Sequence, residues 1–289
     1  MTRTVPDWLD EKLFPFESKW IDADGETLHF VDEGKGEIIL FAHGTPEWSF
    51  GYRDMIRRLR SHYRCVAIDM LGFGLSDKNP SSDYTCQAHA RRLSIVIEKL
   101  GLRNITIVAN DFGGAISLAY AIDHPQNVNN IVLFNTWMWS LKDDPHYSKP
   151  ATTLNSWLGR VLYLTFNAPV NIIMPSAYGN KKLLTPHIHA HYKNALPKGE
   201  RIAAYAFAKE LMNASDWWQS LWEKADVLKS KKMLFFWGMK DKFIPTKELE
   251  KWKAKFPDAK VVTFSDAGHF VQEEKPEEMS RAIDSLLVR

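Results

Sequence analysis

Short apolar runs alternate with stretches of helical spacing, and this alternation limits the chain to few folds. Ile38–Ala42 and Ile105–Ala109 are continuous apolar runs, whereas the stretch 85–100 has apolar residues at helical spacing and stops at Gly101. A strand that is apolar on both faces is typical of a parallel sheet covered by helices. The sequence therefore predicts an α/β protein. The same pattern predicts further strands at 27–32, 65–69 and 130–135 and helices at 50–60 and 113–124.

The alternation stops after residue 135 and resumes near residue 226. The segment between is rich in aromatic residues, Asn, His and Pro, and contains only short helix-like pieces. The resumed pattern predicts strands at Met233–Trp237 and Val261–Phe264 and a last helix at Pro276–Leu287. We therefore predict a core domain formed by residues 1–135 and 226–289, with a helical cap domain, residues 136–225, inserted between its halves.

The charge balance of the chain argues against some classes of partner. The 289 residues include 37 Lys and Arg and 35 Asp and Glu, which gives a net charge of +2. Neither a basic excess nor a charge run supplies the attraction that nucleic acids or anionic membranes require. We therefore expect no nucleic-acid and no membrane partner.

The two cysteines and the absence of long apolar stretches predict the cellular compartment. Cys65 and Cys86 make neither a disulfide framework nor a metal-type spacing, and Cys65 lies in a predicted strand. The first sixteen residues contain acids and prolines where a signal peptide needs an apolar run. No segment approaches the roughly 18 apolar residues of a membrane helix. These features predict a soluble cytoplasmic protein with reduced thiols.

Asp111 follows the apolar run 105–109 and directly precedes a helix that opens with Gly113-Gly114. A reactive side chain at such a strand–turn–helix corner, flanked by small residues, is the nucleophile elbow of the α/β-hydrolase fold. Most such elbows carry Ser, and an Asp there indicates attack on carbon with formation of an alkyl-enzyme ester. Taken alone, Asp111 could instead cap the helix that follows.

An Asp nucleophile needs a base that activates water and an acid that orients the base. Asp241 lies 130 residues after Asp111 and directly after a predicted strand, and His269 lies 28 residues later, after the last strand. The order nucleophile, acid, histidine is the order of this fold, and ligands bind at the carboxyl ends of parallel strands. Individually Asp241 could be a turn residue and His269 a helix cap or a core histidine. Together the three residues predict a catalytic triad.

The loop at His43-Gly44-Thr45-Pro46 follows the strand Ile38–Ala42. In this fold one oxyanion-hole amide comes from such a loop and the other from the residue after the nucleophile. We therefore predict that the backbone N–H groups of Thr45 and Phe112 form the oxyanion hole. His43 is expected to hold the loop by hydrogen bonding rather than to act as a base.

At these residues the chain resembles the haloalkane dehalogenases and, less closely, the soluble epoxide hydrolases. The resemblance covers roughly residues 25–135 and 225–289, and the cap is matched only in position and size. It is carried by the Asp111 elbow, His43–Pro46, Asp69–Asp77 (DMLGFGLSD), Gly238–Lys242 (GMKDK) and Asp266–Phe270 (DAGHF), and by Asn135 at an alternative acid position. The resemblance implies displacement of halide by Asp111 and hydrolysis of the ester by water that His269 activates, with no metal or organic cofactor.

One residue departs from the family pattern. The residue after the nucleophile is Trp in that family, where its indole N–H holds the leaving halide, but here it is Phe112, which has no side-chain donor. The Thr45 hydroxyl and the cap residue Trp157 are the substitute donors, although core packing is the more favoured role for Trp157. Loss of a charge-assisted donor costs about 1.5–3 kcal/mol. We therefore predict weak or narrow dehalogenase activity.

Two alternatives remain open from the sequence. An epoxide hydrolase would share the triad, with one or two cap tyrosines protonating the epoxide oxygen. A protein that kept the fold as a non-catalytic small-molecule binder would not need the triad. The expected ligands are a small apolar halogenated or epoxide substrate, halide ion and water. The available cap tyrosines are Tyr147, Tyr163, Tyr178, Tyr192 and Tyr205.

Overall fold

An eight-stranded sheet forms the centre of the molecule in the computed structural model, which describes residues 3–288. The strand order is β1-β2-β4-β3-β5-β6-β7-β8. The six strands from β4 to β8 in this order are parallel to one another, whereas β2 is antiparallel to both of its neighbours, β1 and β4. The predicted α/β class with a mostly parallel sheet is confirmed. The strands are β1 Lys19–Ala23, β2 Glu26–Glu33, β3 Ile38–Ala42, β4 Arg64–Ile68, β5 Ile105–Asn110, β6 Val128–Phe134, β7 Lys232–Gly238 and β8 Lys260–Phe264.

Helices pack on the faces of the sheet and fill the segment between β6 and β7. The helices before and after that segment are α1 Arg53–Leu59, α2 Cys86–Lys99, α3 Asp111–Asp123, α10 Thr246–Lys255, α11 Val271–Glu274 and α12 Pro276–Leu287. Within the segment lie α4 Pro145–Leu154, α5 Trp157–Leu164, α6 Met174–Ala177, α7 Pro186–Ala195, α8 Ile202–Asn213 and α9 Ser215–Lys224. Across the described chain, residues 136–225 contain no strand, and we call this segment the helical insertion. Its standing as a separate cap domain stays a prediction.

The core lies between the sheet and the helices on its two faces. All six residues of β5 are buried, and so is every residue of α3 except its last, Asp123. Six tryptophans, at positions 48, 137, 139, 218, 237 and 252, are fully or almost fully buried. Most of the eleven tryptophans, Trp48 among them, therefore serve packing. None of the described helices is long and apolar enough to cross a membrane.

Candidate active site

The turn between β5 and α3 holds Asp111 in a backbone conformation that few non-glycine residues adopt. Its φ is 48°, in the left-handed region, and it begins α3 directly after the extended Asn110. Such strain persists where the surroundings enforce it and is concentrated at functional sites. The neighbouring backbone is packed so closely that a Cβ at Gly113 would lie 2.2 Å from the Ala42 carbonyl oxygen. A Cβ at Gly44 would lie 2.3 Å from the Asp111 side chain.

The Asp111 carboxylate lies against the loop that follows β3. Its Oδ1 atom accepts a hydrogen bond of 3.0 Å from the backbone N–H of Thr45. Burial raises the pKa of Asp111, while His269 and the amides of Phe112 and Thr45 act in the opposite direction. Of the two amides that the sequence predicted as an oxyanion hole, that of Thr45 therefore binds the carboxyl group of Asp111, and that of Phe112 lowers its pKa.

His269 lies in the loop between β8 and α11 and bridges two carboxylates. Its Nδ1 is 2.7 Å from Oδ2 of Asp241, and its Nε2 is 3.6 Å from Oδ2 of Asp111. Burial disfavours a charge on this ring, but the carboxylates of Asp241, Asp111 and Glu47 together outweigh it and raise the pKa of His269 to about 9. The three residues of the predicted triad, which are far apart in sequence, are therefore brought together in the order Asp111–His269–Asp241.

Asp241 follows β7 and is held by three donors. Its Oδ1 accepts the backbone N–H groups of Phe243 at 2.7 Å and Ile244 at 3.1 Å, and its Oδ2 accepts Asn135 Nδ2 at 2.7 Å. Asn135 comes directly after β6, and its own Oδ1 accepts the Gly238 amide at 3.0 Å. Asn135 therefore fixes the acid against the end of the neighbouring strand.

His43 is held by the backbone at both ring nitrogens. Its Nδ1 donates to the Gly44 carbonyl at 2.6 Å, and its Nε2 accepts the Met70 N–H at 2.9 Å. This pattern requires the neutral ring, and burial lowers the pKa of His43 accordingly. The geometry agrees with a role in holding the loop rather than with that of a base.

Phe112 is enclosed by other aromatic rings. Its ring centroid lies 4.4 Å from that of Phe207, 5.0 Å from Trp137 and 6.1 Å from Trp218. These three partners were missed by the sequence analysis, since an isolated apolar residue in the insertion gives no signal beyond burial. The Phe112 side chain itself offers no hydrogen bond to the site.

Trp157 does not occupy either of the positions predicted for it. It is the first residue of α5, and 78% of its surface is exposed. At this helix end the ring projects into solvent, so it neither packs in the core nor lies beside Phe112. The hydroxyl of Thr45, the other substitute donor, has no hydrogen-bond partner among the described residues and is half-buried.

The five tyrosines of the insertion differ in what their hydroxyls contact. Those of Tyr147, Tyr192 and Tyr205 bind Glu248, Glu273 and the Leu154 carbonyl oxygen. Within residues 3–288 the hydroxyls of Tyr163 and Tyr178 have no partner. Burial and then the charge of Asp111 raise the pKa of Tyr163.

A buried glutamate behind the triad was missed by the sequence analysis. Glu47 is 1% exposed, and its carboxyl group contacts the side-chain amides of Asn110, at 2.6 Å, and Gln272. Burial raises the pKa of Glu47 to about 8. Because Asn110 precedes Asp111 and Gln272 follows His269 by three residues, Glu47 connects the end of β5 to α11. A single acidic residue in a loop gives no sequence signal for such a contact.

Known proteins are similar to this chain over most of its length. The model of the alpha/beta hydrolase fold family matches residues 37–276. Haloalkane dehalogenase 2 of Mycobacterium tuberculosis is 35% identical over 277 residues, which are 95% of this chain and 96% of that protein. The cis-3-alkyl-4-alkyloxetan-2-one decarboxylase of Shewanella oneidensis is 31% identical over 288 residues, covering 93% of this chain and 87% of that protein.

A solved structure is similar in fold. The crystal structure of the haloalkane dehalogenase DatA from Agrobacterium tumefaciens C58 matches with a TM-score of 0.83 over 93% of this chain and 95% of that chain. The two sequences are 24% identical, so this match speaks for the fold alone.

Proposed function

The chain belongs to the α/β-hydrolase family as a haloalkane dehalogenase-like enzyme, and we propose that it cleaves carbon–halogen bonds through a covalent ester on Asp111. The family match confirms the predicted resemblance and the enzyme class, and it leaves the alternative of a non-catalytic binding protein without support. The observation that carries the proposal is the placement of Asp111. Its carboxylate stands on a strained turn, with the Thr45 amide on Oδ1 and His269 Nε2 3.6 Å from Oδ2.

In the first step the Asp111 carboxylate attacks the carbon that bears the halogen. The new carbon–oxygen bond forms as the carbon–halogen bond breaks, and the electron pair of that bond leaves with the halide. Burial of Asp111 removes water from the carboxylate, which makes it a stronger nucleophile. The positive φ at Asp111 directs the side chain away from the sheet, where a substrate can reach it.

In the second step water attacks the carbonyl carbon of the ester, and Nε2 of His269 accepts its proton. The negative charge that develops on the carbonyl oxygen is stabilised by the N–H groups of Thr45 and Phe112. Collapse of the intermediate releases the alcohol and restores the carboxylate, and His269 returns its proton to solvent. Alkylation of Asp111 removes one of the charges that raise the pKa of His269, which shifts the ring toward its basic form when a base is needed.

The halide leaves into an apolar site. The neighbouring aromatic rings exclude water. The lower local dielectric strengthens the electrostatic attraction between the halide and any dipole that points at it. Phe112 supplies no N–H group, whereas the hydroxyl of Thr45, whose amide binds Asp111, is a candidate donor to the halide. We therefore expect the carbon–halogen bond to break more slowly than in an enzyme with two N–H donors.

A second candidate function is the opening of a strained oxygen ring, either an epoxide or an oxetanone. Tyr163 is the observation that favours it, because its hydroxyl has no hydrogen-bond partner among the described residues and the charge of Asp111 acts on its pKa. A ring oxygen that departs as an alkoxide needs a proton donor rather than a halide site. The name of the Shewanella relative also refers to an oxetanone substrate.

Product analysis with three substrates separates these functions. Wild type and Asp111→Ala would be incubated with 1,2-dibromoethane, styrene oxide and a cis-3,4-dialkyl-oxetan-2-one. The proposal predicts bromide and bromoethanol from the first substrate, with loss of turnover in Asp111→Ala. Diol from the epoxide, or alkene and carbon dioxide from the oxetanone, without bromide release would favour the second candidate. Equal activity in Asp111→Ala would contradict both.

We also place this enzyme in the cytoplasm. The proposal is supported by its two cysteines, Cys65 and Cys86, which are buried free thiols. Protein thiols stay reduced in that compartment.

A further inference from the structure

Helix α5 is strongly apolar but hardly buried. Six of its eight residues are large and apolar or aromatic, and Gly159 is the one residue of the helix in the buried class. Trp157 is 78% exposed and Leu158 is 51% exposed. A helix of this composition normally turns its apolar stripe to the core of the protein, so α5 lacks the partner that its sequence demands.

More large apolar side chains are exposed after α5 in the sequence. Phe166 is 58% exposed and Ile172 is 60% exposed, and Leu183 also lies at the surface. Half of the large apolar side chains exposed in the described chain therefore lie within residues 157–183. Exposed apolar surface concentrated in one region marks a site of interaction with a protein or a membrane. We call residues 157–183 the exposed apolar segment.

The sequence that contains and flanks the exposed apolar segment has basic residues but no acidic ones. Between residues 145 and 199 the chain has no Asp or Glu but has six Lys or Arg. All six are exposed, and none forms an ion pair with a carboxylate within residues 3–288. They are Lys149, Arg160, Lys181, Lys182, Lys193 and Lys198.

These cations lie on the elements that form and support the apolar segment. Arg160 is on α5 itself, Lys149 is on α4, which packs against α5, and Lys181 and Lys182 adjoin Leu183. Two carboxylates that reach the neighbouring helix α7 and the loop after α6 from elsewhere are already hydrogen-bonded. Asp10 binds His187 on α7, and Glu274 binds the amides of Gly179 and Asn180.

We propose that the exposed apolar segment and its six cations dock on an anionic lipid surface, with Trp157, Leu158 and Phe166 inserted among the acyl chains. Aromatic and large aliphatic residues next to unpaired Lys and Arg are the composition of interfacial membrane-binding elements. A second copy of the chain is a poorer occupant, because a symmetric contact would bring like charges together. The net charge of +2 suggested no membrane partner, but it averages over a chain whose basic residues are locally concentrated. The docking does not depend on the proposed reaction.

Co-sedimentation with vesicles tests the docking. The full chain would be mixed with vesicles of phosphatidylcholine alone or with about 30% phosphatidylglycerol, at low and at high salt. Wild type is expected to sediment with the anionic vesicles, and less so at high salt because screening weakens the attraction. The Trp157→Ser/Leu158→Ser variant should lose affinity about tenfold or more, since two large side chains no longer leave water. The Lys181→Glu/Lys182→Glu variant should also bind less.

A matched control replaces exposed apolar residues outside the segment. Val227→Ser/Val261→Ser changes two exposed side chains elsewhere and should sediment like wild type. The proposal is wrong if wild type sediments with neither vesicle, or if the Trp157→Ser/Leu158→Ser variant binds as well as wild type. Sedimentation velocity adds a further outcome: a dimer that disappears in that variant would assign the surface to a second copy instead.

Discussion

The Nε2 atom of His269 lies 3.6 Å from Oδ2 of Asp111, close enough for electrostatic contact but too far for a hydrogen bond. The histidine is anchored on its other side, where Nδ1 is 2.7 Å from Oδ2 of Asp241. Asp111 is therefore not hydrogen-bonded to His269, and its carboxylate oxygen is available to attack carbon. The distance also lets a change of charge on Asp111 alter the basicity of His269.

Replacement of His269 by Phe should stop the reaction after alkylation. The variant keeps the nucleophile and both oxyanion amides but has no base for the second step. With 1,2-dibromoethane it is expected to release about one equivalent of bromide and to gain the mass of a bromoethyl group on Asp111, as measured by intact-protein and peptide mass spectrometry. The matched control is the double variant Asp111→Ala/His269→Phe, which should stay unmodified. Continued turnover by His269→Phe would show that another base acts.

Replacement of Asp241 by Asn should move the acid limb of ester hydrolysis to lower pH. A base must be neutral, so the hydrolysis rate rises as the pH passes the pKa of His269 in the alkyl-enzyme. The Asp241 carboxylate raises that pKa. Its removal should therefore lower the pH at which the rate reaches half of its plateau value. The rate at the plateau should fall about 10²–10⁴-fold because the ring is no longer oriented. Single-turnover hydrolysis measured from pH 5 to 9 gives both quantities, and an unchanged midpoint would contradict the assignment of Asp241.

Replacement of Phe112 by Trp should speed the departure of halide. An indole N–H that reaches the leaving group would add about 1.5–3 kcal/mol of stabilisation, which corresponds to a rise of about ten- to a hundredfold in the alkylation rate. Phe207 lies 4.4 Å from the Phe112 ring, so the variant should be made with and without Phe207→Leu to give the larger ring space. Bromide release in the pre-steady state measures the effect. Epoxide opening is the control reaction, and it should not gain from the indole.

Much of this fold and site is encoded in local sequence patterns. The buried strands β3 and β5 have continuous apolar sequences, and the predicted bounds agree with the structure within one residue. Asp111, Asp241 and His269 each follow a strand of the parallel sheet, so the topology brings them to one edge. Strand β1, Lys19–Ala23, was not predicted, because this edge strand mixes charged and apolar residues and pairs only with β2.

Other parts of the site depend on contacts that no local pattern encodes. Glu47 contacts Gln272, which is 225 residues away in the chain, and Phe207 reaches Phe112 from α8 of the helical insertion. Trp157 resembles a buried residue by type, but its position at the start of α5 leaves it in solvent. Tertiary packing decided each of these placements, and for Trp157 it overruled the preference of the residue type.

The buried carboxyl group of Glu47 should make stability depend on pH. Its pKa is about 8 in the folded protein and about 4.5 ordinarily, so folding favours its protonated form. A raised pKa gives stability that is fully present below about pH 4.5 and is lost as the pH rises through about 8. Relative to Glu47→Gln, the free energy of unfolding of wild type should therefore fall over this range by an amount on the order of a few kcal/mol. Urea unfolding between pH 5 and 9 measures it, and parallel curves for the two proteins would contradict a protonated Glu47.

The central claim, that Asp111 forms the ester, is tested most directly by a single turnover in ¹⁸O-labelled water with enzyme in excess over a primary bromide. Attack by Asp111 on carbon predicts that the alcohol carries unlabelled oxygen from the carboxylate. Because water then attacks the ester carbonyl, a peptide containing Asp111 should gain one ¹⁸O atom. Alcohol that carries ¹⁸O, with Asp111 unlabelled, would mean that water displaces the halide directly, and it would contradict the account.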